Sequence, residues 1–341
     1  MSPASRLTLA RLPAAALGAQ PADWWRRALG VVRFGDARPP CCPDAVPQML
    51  VRTPPLDEGS ARCDVWLAGA DVCDGTHGRV RYRRDDGLLF GCIELDENEA
   101  ATTTTVSALQ TVTASAYREV FELLDDAGYS QLFRVWNYFP AINAVRDGSE
   151  RYWQFNAGRQ DTFAAAGRAT AGKVPAACAL GSAAGGLAVY FLALREAPRA
   201  IENPRQVHAY DYPSRYGPRS PTFARASLAG PVLFVSGTAS IVGHRTVHHG
   251  DAVAQTLEAL HNIEAVLAEA QRDSPRAPAA LADLAFKVYV RDPADLAAVR
   301  TVLADRLGPG VPVQWLQADV CRADLLVEIE ASGGHAVEEA A

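Results

Sequence analysis

Val327-Glu328-Ile329-Glu330-Ala331 reads as a strand near the C-terminus, and Val189-Tyr190-Phe191-Leu192-Ala193 answers it from the middle of the chain. The match extends upstream in the same order. Phe133-Arg134-Val135-Trp136 answers Phe286-Lys287-Val288-Tyr289, and Leu89-Phe90 answers Leu233-Phe234. Between the expected strands at Leu88–Leu95 and 132–139, Val112, Ala116, Val120, Leu123 and Leu124 recur at helical spacing, with Gly128 as the stop. A second helix is expected over 151–166, and the wholly apolar Leu187–Leu194 reads as a buried strand. The second half repeats the pattern: strand 232–237, helix 252–270, strand Leu284–Val290, helix 294–307 and strand 325–331. Two strand–helix–strand–helix–strand units predict an α+β fold built by duplication of one module. The expected division is 80–200 and 201–341, with the active site on the second module. Residues 1 to about 60 are rich in Pro, Arg and Ala and are broken at Pro39-Pro40-Cys41-Cys42-Pro43 and Pro54-Pro55. Residues 1–79 are expected to form an irregular leader packed on the first module.

The 341 residues are 49% hydrophobic and 21% charged, which excludes a disordered or fibrous chain. A net charge of −6 excludes a basic field for nucleic acid or anionic lipid. No apolar run is long enough to span a membrane as a helix. The apolar run at 12–17 is too short for a signal sequence, contains Pro13 and follows Arg6 and Arg11, so a mature cytoplasmic protein is expected. Seven cysteines without a C-x-x-C pair indicate neither a zinc ribbon nor a disulfide framework.

The two units differ where chemistry enters. The first ends in Val-Tyr-Phe-Leu, the second in Val-Glu-Ile-Glu. Strand alternation puts Glu328 and Glu330 on one face, opposite Val327 and Ile329. That face is either solvated, or it is a pocket wall where burial raises a carboxyl pKa until it can donate a proton. Aromatic and basic residues interleave in Arg151-Tyr152-Trp153-Gln154-Phe155-Asn156-Ala157-Gly158-Arg159 and again from Tyr210 to Arg219. Guanidinium forks and phenols suit a small cyclic acid, although an arginine taken singly is more often a surface residue. His244, His248 and His249 have no Cys or Glu completing a ligand set, so no metal is expected. Gly181-Ser182-Ala183-Ala184-Gly185-Gly186 matches neither a nucleophile elbow nor a phosphate loop. Cys321 stands just before the acidic strand, facing the same pocket or simply buried as a small residue.

Val235-Ser236-Gly237-Thr238-Ala239-Ser240, Gln255-Thr256-Leu257, Asn262-Ile263, Lys287-Val288-Tyr289-Val290-Arg291-Asp292 and the Glu328 strand together resemble the RidA/YjgF fold, shared with chorismate-mutase-like proteins. Asn137-Tyr138-Phe139-Pro140-Ala141-Ile142-Asn143, followed by Tyr152 to Arg159, is similar to the chorismatase family, whose members carry two such modules. The resemblance covers about residues 80–332. It implies removal of pyruvate from chorismate without metal or organic cofactor, with Glu328 as the catalytic acid. Arg159 and Arg215, helped by Tyr152, Tyr212 and Arg219, would hold the substrate's carboxylates.

The resemblance also bears on the product. In the family a Cys seven residues before the acid goes with hydroxybenzoate formation, and a Gln with hydrolysis to a dihydroxycyclohexadiene carboxylate; here it is Cys321. A second position, Ala in hydrolytic members and Gly in strict 3-hydroxybenzoate formers, falls on Ala239. The balance favours 3-hydroxybenzoate, with or without the 4-isomer, over the diol. An imine deaminase of the RidA type and a non-catalytic metabolite-binding protein are the readings of other classes, and either a monomer or a homo-oligomer fits the modules.

Overall fold

Four short strands come first: β1 (Thr8–Pro13), β2 (Ala28–Phe34), β3 (Gln48–Val51) and β4 (Arg62–Leu67). The computed structural model describes residues 3–35, 42–57, 62–100 and 106–339, so the breakers at Pro39, Pro40 and Cys41 lie outside it. The first unit follows as β5 (Cys73–His77), β6 (Val80–Arg84), β7 (Leu88–Leu95), α1 (Ala108–Ala127), β8 (Gln131–Pro140), α2 (Arg151–Ala165), β9 (Ala176–Ser182) and β10 (Leu187–Leu194). The second comprises β11 (Arg199–Ile201), β12 (Ala226–Ala229), β13 (Val232–Ala239), α3 (Ala252–Asp273), β14 (Leu284–Val290), α4 (Leu296–Leu307), β15 (Val313–Gln317) and β16 (Val327–Gly333), and β17 (Ala336–Glu339) ends the chain.

The duplication expected from the sequence is present strand for strand. The first sheet runs β9-β8-β10-β7-β6-β5 and the second β15-β14-β16-β13-β12-β11. In each, the strand after the second helix is the parallel edge, and the other pairings are antiparallel. Helix ends follow from local chemistry. The Ser107 side chain accepts from the Gln110 amide to start α1, and Gly128 takes the left-handed conformation (φ 71°) that ends it.

The irregular leader is a correction. β1 to β4 and β17 form a five-stranded sheet in the order β3-β2-β4-β1-β17. β3 is parallel to β2, and β2 and β1 are both antiparallel to β4, as in the equivalent positions of the two larger sheets. The segment is thus a third, trimmed copy of the module, with a 3-10 turn (Ala14–Ala19) and a short helix (Ala22–Arg27) joining β1 to β2 in place of the first long helix. Its strands, four to seven residues long, are set between proline-bearing segments, and β1 itself ends on Pro13, so the stretch reads as a series of breakers.

All three sheets turn one face onto a shared core. Phe90, Trp136 and Tyr190 come from the first, Phe234 and Tyr289 from the second, Trp66 from the third. The outer faces are covered separately: α1 and α2 lie over Val135 and Phe191, α3 and α4 over Val288 and Ile329. Trp24 and Trp25 pack on the outer face of the third sheet, over Val31 and Val65. Gly30 lets the third sheet approach the first, since a methyl group there would overlap the Phe90 ring, 2.7 Å from its Cζ. Gly30→Ala is therefore expected to destabilise by about 1–3 kcal/mol through overpacking. Denaturant titration should show a lower midpoint at unchanged slope.

Candidate active site

β9, the edge of the first sheet, lies against β13 of the second, with the Ala177 amide donating to Ser236 Oγ at 2.9 Å. Beside this seam is a cavity of about 290 Å³. β16 brings Glu328 into it, and Val327 and Ile329 point the other way into the helix-facing core. Glu328 is 3% exposed and Glu330 6%, so the solvated reading of this face is excluded. Ala239 is the direct cross-strand neighbour of Glu328 on one side and Tyr289 on the other. The register of β13 slips between Val235 and Thr238, a bulge that contains Gly237. A methyl group on Gly237 would overlap the Glu328 carboxyl, 2.7 Å from its Cδ, so the glycine supplies the space the acid occupies.

The two glutamates titrate in opposite directions. Burial, reinforced by the nearby Glu330 charge and opposed by Arg134, pushes Glu328 up to about 8, so its carboxyl carries a proton at neutral pH. Burial acts on Glu330 too, but Lys287 and Arg134 outweigh it and hold that carboxyl below its usual value. The Cys321 thiol is pushed up to about 12, by burial first and by Glu328 second, and stays protonated.

Tyr152 from α2, Phe223, Ile241 and Cys321 form apolar wall around the acid. At the mouth, Arg215 donates to His244 Nδ1 at 2.8 Å, and the Arg322 guanidinium stacks on Tyr216 with its centre 4.1 Å from the ring centroid. Arg225, 5% exposed, donates to the Tyr212 hydroxyl at 2.9 Å. A narrow cleft of about 30 Å³, which also reaches Glu328, holds Arg159. That side chain is 2% exposed; its Nε donates to the Tyr117 hydroxyl at 2.8 Å, and its Nη2 has no partner.

Seven of the eight side chains singled out from the sequence thus meet in one place. Tyr152, Tyr212, Arg215, Ala239, Cys321 and Glu328 line the cavity, and Arg159 lies in the adjoining cleft. Arg219 does not. It is exposed and donates to Asp161 at 2.7 Å on the surface. Arg225 and Arg322 escaped notice, although the aromatic–basic interleaving continues through Phe223-Ala224-Arg225 and Arg322 directly follows Cys321. The lining draws on both modules, since Asn143, Glu150 and Tyr152 belong to the first. A protonated buried carboxyl ringed by guanidinium groups suits protonation of a small anion. Among the described residues, no group of His, Cys, Asp and Glu is placed to hold a metal ion, and no helix is long and apolar enough to cross a membrane.

Residues 64–193 match the family model for the N-terminal part of FkbO/Hyg5-like chorismatases. A 3-hydroxybenzoate synthase of Streptomyces hygroscopicus is 38% identical over 320 residues, spanning 89% of this chain and 91% of its own. A chorismatase of the same organism is 40% identical over 296 residues, covering 84% of this chain and 83% of its own. A chorismatase crystal structure aligns with a TM-score of 0.85 at 36% identity, over 96% of this chain and 98% of that one.

Proposed function

Since the chain belongs to the FkbO/Hyg5-like chorismatase family, we propose that it converts chorismate to 3-hydroxybenzoate and pyruvate, with Glu328 as the proton donor. The observation that carries the role of Glu328 is a carboxyl both buried and protonated at neutral pH inside an arginine-ringed cavity. Chorismate is a dianion close to aromaticity, so the protein has mainly to orient it and deliver one proton. Arg215, Arg225 and Arg322 on the cavity wall and Arg159 in the cleft supply the countercharge for its two carboxylates.

Transfer of the Glu328 proton to the enolpyruvyl methylene turns the ether into an oxocarbenium ion, a good leaving group. With water excluded, the neighbouring ring hydroxyl attacks the carbon bearing the ether. The C–O bond breaks toward the departing pyruvate, and the hydroxyl proton returns to the Glu328 carboxylate. The resulting arene oxide opens and loses a ring proton, and the C–O bond that opens selects the 3- or the 4-isomer. Substrate and products balance without added water or oxidant. The apolar wall of Tyr152, Phe223, Ile241 and Cys321 favours this route over hydrolysis, because a thiol held protonated is a poor anchor for a water molecule. We place the reaction in the cytoplasm, in keeping with unbridged thiols at Cys63, Cys92, Cys178 and Cys321.

The test is incubation of the purified protein with chorismate, with aromatic products resolved chromatographically and pyruvate counted in parallel. Equal amounts of pyruvate and 3-hydroxybenzoate are expected. A non-aromatic diol in place of the hydroxybenzoate overturns the water-excluded route, and absence of pyruvate overturns the assignment. Cys321→Gln is expected to divert product toward the diol, because an amide beside Glu328 holds a water where the thiol does not. The readout is the ratio of diol to hydroxybenzoate in the same chromatogram.

A further inference from the structure

Glu330 takes no part in the chemistry proposed for the cavity, yet it is the hub of a buried ion network drawn from all three sheets. Arg134 of β8, 1% exposed, pairs with Glu330 Oε2, and the Trp136 indole donates to Oε1 at 3.0 Å. Lys287 Nζ of β14 stands 3.1 Å from Glu330 Oε1 and 2.9 Å from Oδ2 of Asp64 on β4. Asp64 in turn accepts from Arg11 Nε of β1 at 3.1 Å. Five charges at 7% side-chain exposure or less are costly to bury, and swapping such groups for apolar residues of similar volume is often neutral or stabilising. Stability alone therefore does not explain the arrangement.

Its geometry points to the acid. Glu328 and Glu330 are two residues apart on one face of β16, with a backbone separation of about 7 Å, and a fixed negative charge there opposes ionisation of its neighbour. We infer that Glu330, clamped as an anion by Arg134, Lys287 and Trp136, is the positioning residue that keeps the Glu328 carboxyl in its proton-donating form. This rests on the reading of Glu328 as the proton donor. Among the groups around the pair, Arg159 of α2 lies in the cleft that also reaches Glu328, and its charge favours the ionised form of that acid. Tyr152 of α2, Cys178 of β9, Tyr289 of β14, Tyr138 of β8, Tyr190 of β10 and Cys321 all have phenols or thiols raised by burial, hence neutral at neutral pH. On the cavity side, Arg215, Arg225 and Arg322 share the lining with Glu150 and Asp324, charges of both signs. The strongest opposing charge is Arg134, which favours the ionised form of Glu328. The third sheet enters through Asp64, which pairs with Lys287 and is itself fixed by Arg11, so the N-terminal segment reaches the network around the proton donor without lining the cavity.

The experiment compares wild type, Glu330→Gln, Arg134→Met and the double variant. It reads the pH dependence of kcat on chorismate and, independently of turnover, the infrared band of the protonated Glu328 carboxyl, identified by subtracting the spectrum of Glu328→Gln. In wild type the band is expected at pH 6.5, fading as pH rises through about 8. Glu330→Gln should move both midpoints down by about one pH unit or more. Arg134→Met should move them up, and the double variant, which loses one charge of each sign, should fall between. A merely structural role would lower kcat at every pH and leave the midpoints in place. Unmoved midpoints in whichever variants fold overturn the inference, and so does a wild-type spectrum with no protonated Glu328 band at neutral pH. If wild type shows the band but releases no pyruvate, the chorismate reading falls, and the role of Glu330 stands if the band midpoint moves in the variants.

Discussion

Glu328→Gln is expected to slow pyruvate release from chorismate by about 10²–10⁴-fold, the usual contribution of a positioned general acid, while making the protein more stable in alkaline solution. The second effect follows from linkage. Glu328 titrates near 8 in the folded protein against an ordinary value of 4.5. Between those two values the unfolded chain releases a proton that the native state holds, so the Glu328 contribution to stability falls as pH rises through that window. Above pH 8 the native state carries a buried carboxylate, at a cost on the order of 5 kcal/mol. Glutamine is neutral throughout and escapes this cost. Thermal melts of the two proteins should therefore agree best near pH 4.5 and below, then diverge until the variant melts higher at pH 9. A variant that melts no higher than wild type at pH 9 would remove the case for Glu328 as a proton donor at neutral pH.

The other large effect is expected at a residue with no functional group. Gly237→Ala puts a methyl group into the space of the Glu328 carboxyl and brings it within 3.1 Å of Cys178 Cβ. The carboxyl is the movable end of a side chain, so it swings aside while the sheet stays in place. Displacing a reacting group by about 1 Å can cost about 10²-fold in rate. A fall in kcat of that size is expected, with KM little changed because the arginines are untouched. Combining Gly237→Ala with Glu328→Gln should add little further loss, since both remove the same proton transfer. Wild-type kcat in the glycine variant would mean that the acid works from a different position.

How much of this was legible depends on what each residue's pattern encodes. The two long modules announce themselves because α1 and α3 bury one face and so show a helical period, and β7, β10 and β14 have the lengths read from their apolar runs. Glu328 and Glu330 stand out as acids in a strand whose partner sequence is apolar. β9 is different. Ala176-Ala177-Cys178-Ala179-Leu180-Gly181-Ser182 has neither β-branched residues nor alternation, because its small side chains let another sheet come close. The third sheet is hidden for a different reason, its strands being set between proline-bearing segments that read as breakers. At the site, the basic residues of 210–219 resemble one another in sequence, yet Arg215 lines the cavity and Arg219 pairs with Asp161 on the surface.

The third sheet has a consequence for how such a site can arise. A ring of three identical subunits obeys rotational symmetry, so any substitution at one seam is made at all three. Here the three copies share one core within a single chain, and each is free to differ. The position answering Glu328 in the first module is Tyr190, whose ring stacks on Trp136 at 4.6 Å between centroids. One unit thus fills with aromatic rings the place where another keeps an acid beside open space. Joining the copies also makes their association intramolecular, so the inner core does not come apart on dilution. With cohesion secured by the chain, one interface can carry a buried, proton-bearing carboxyl that would weigh three times over on a symmetric assembly.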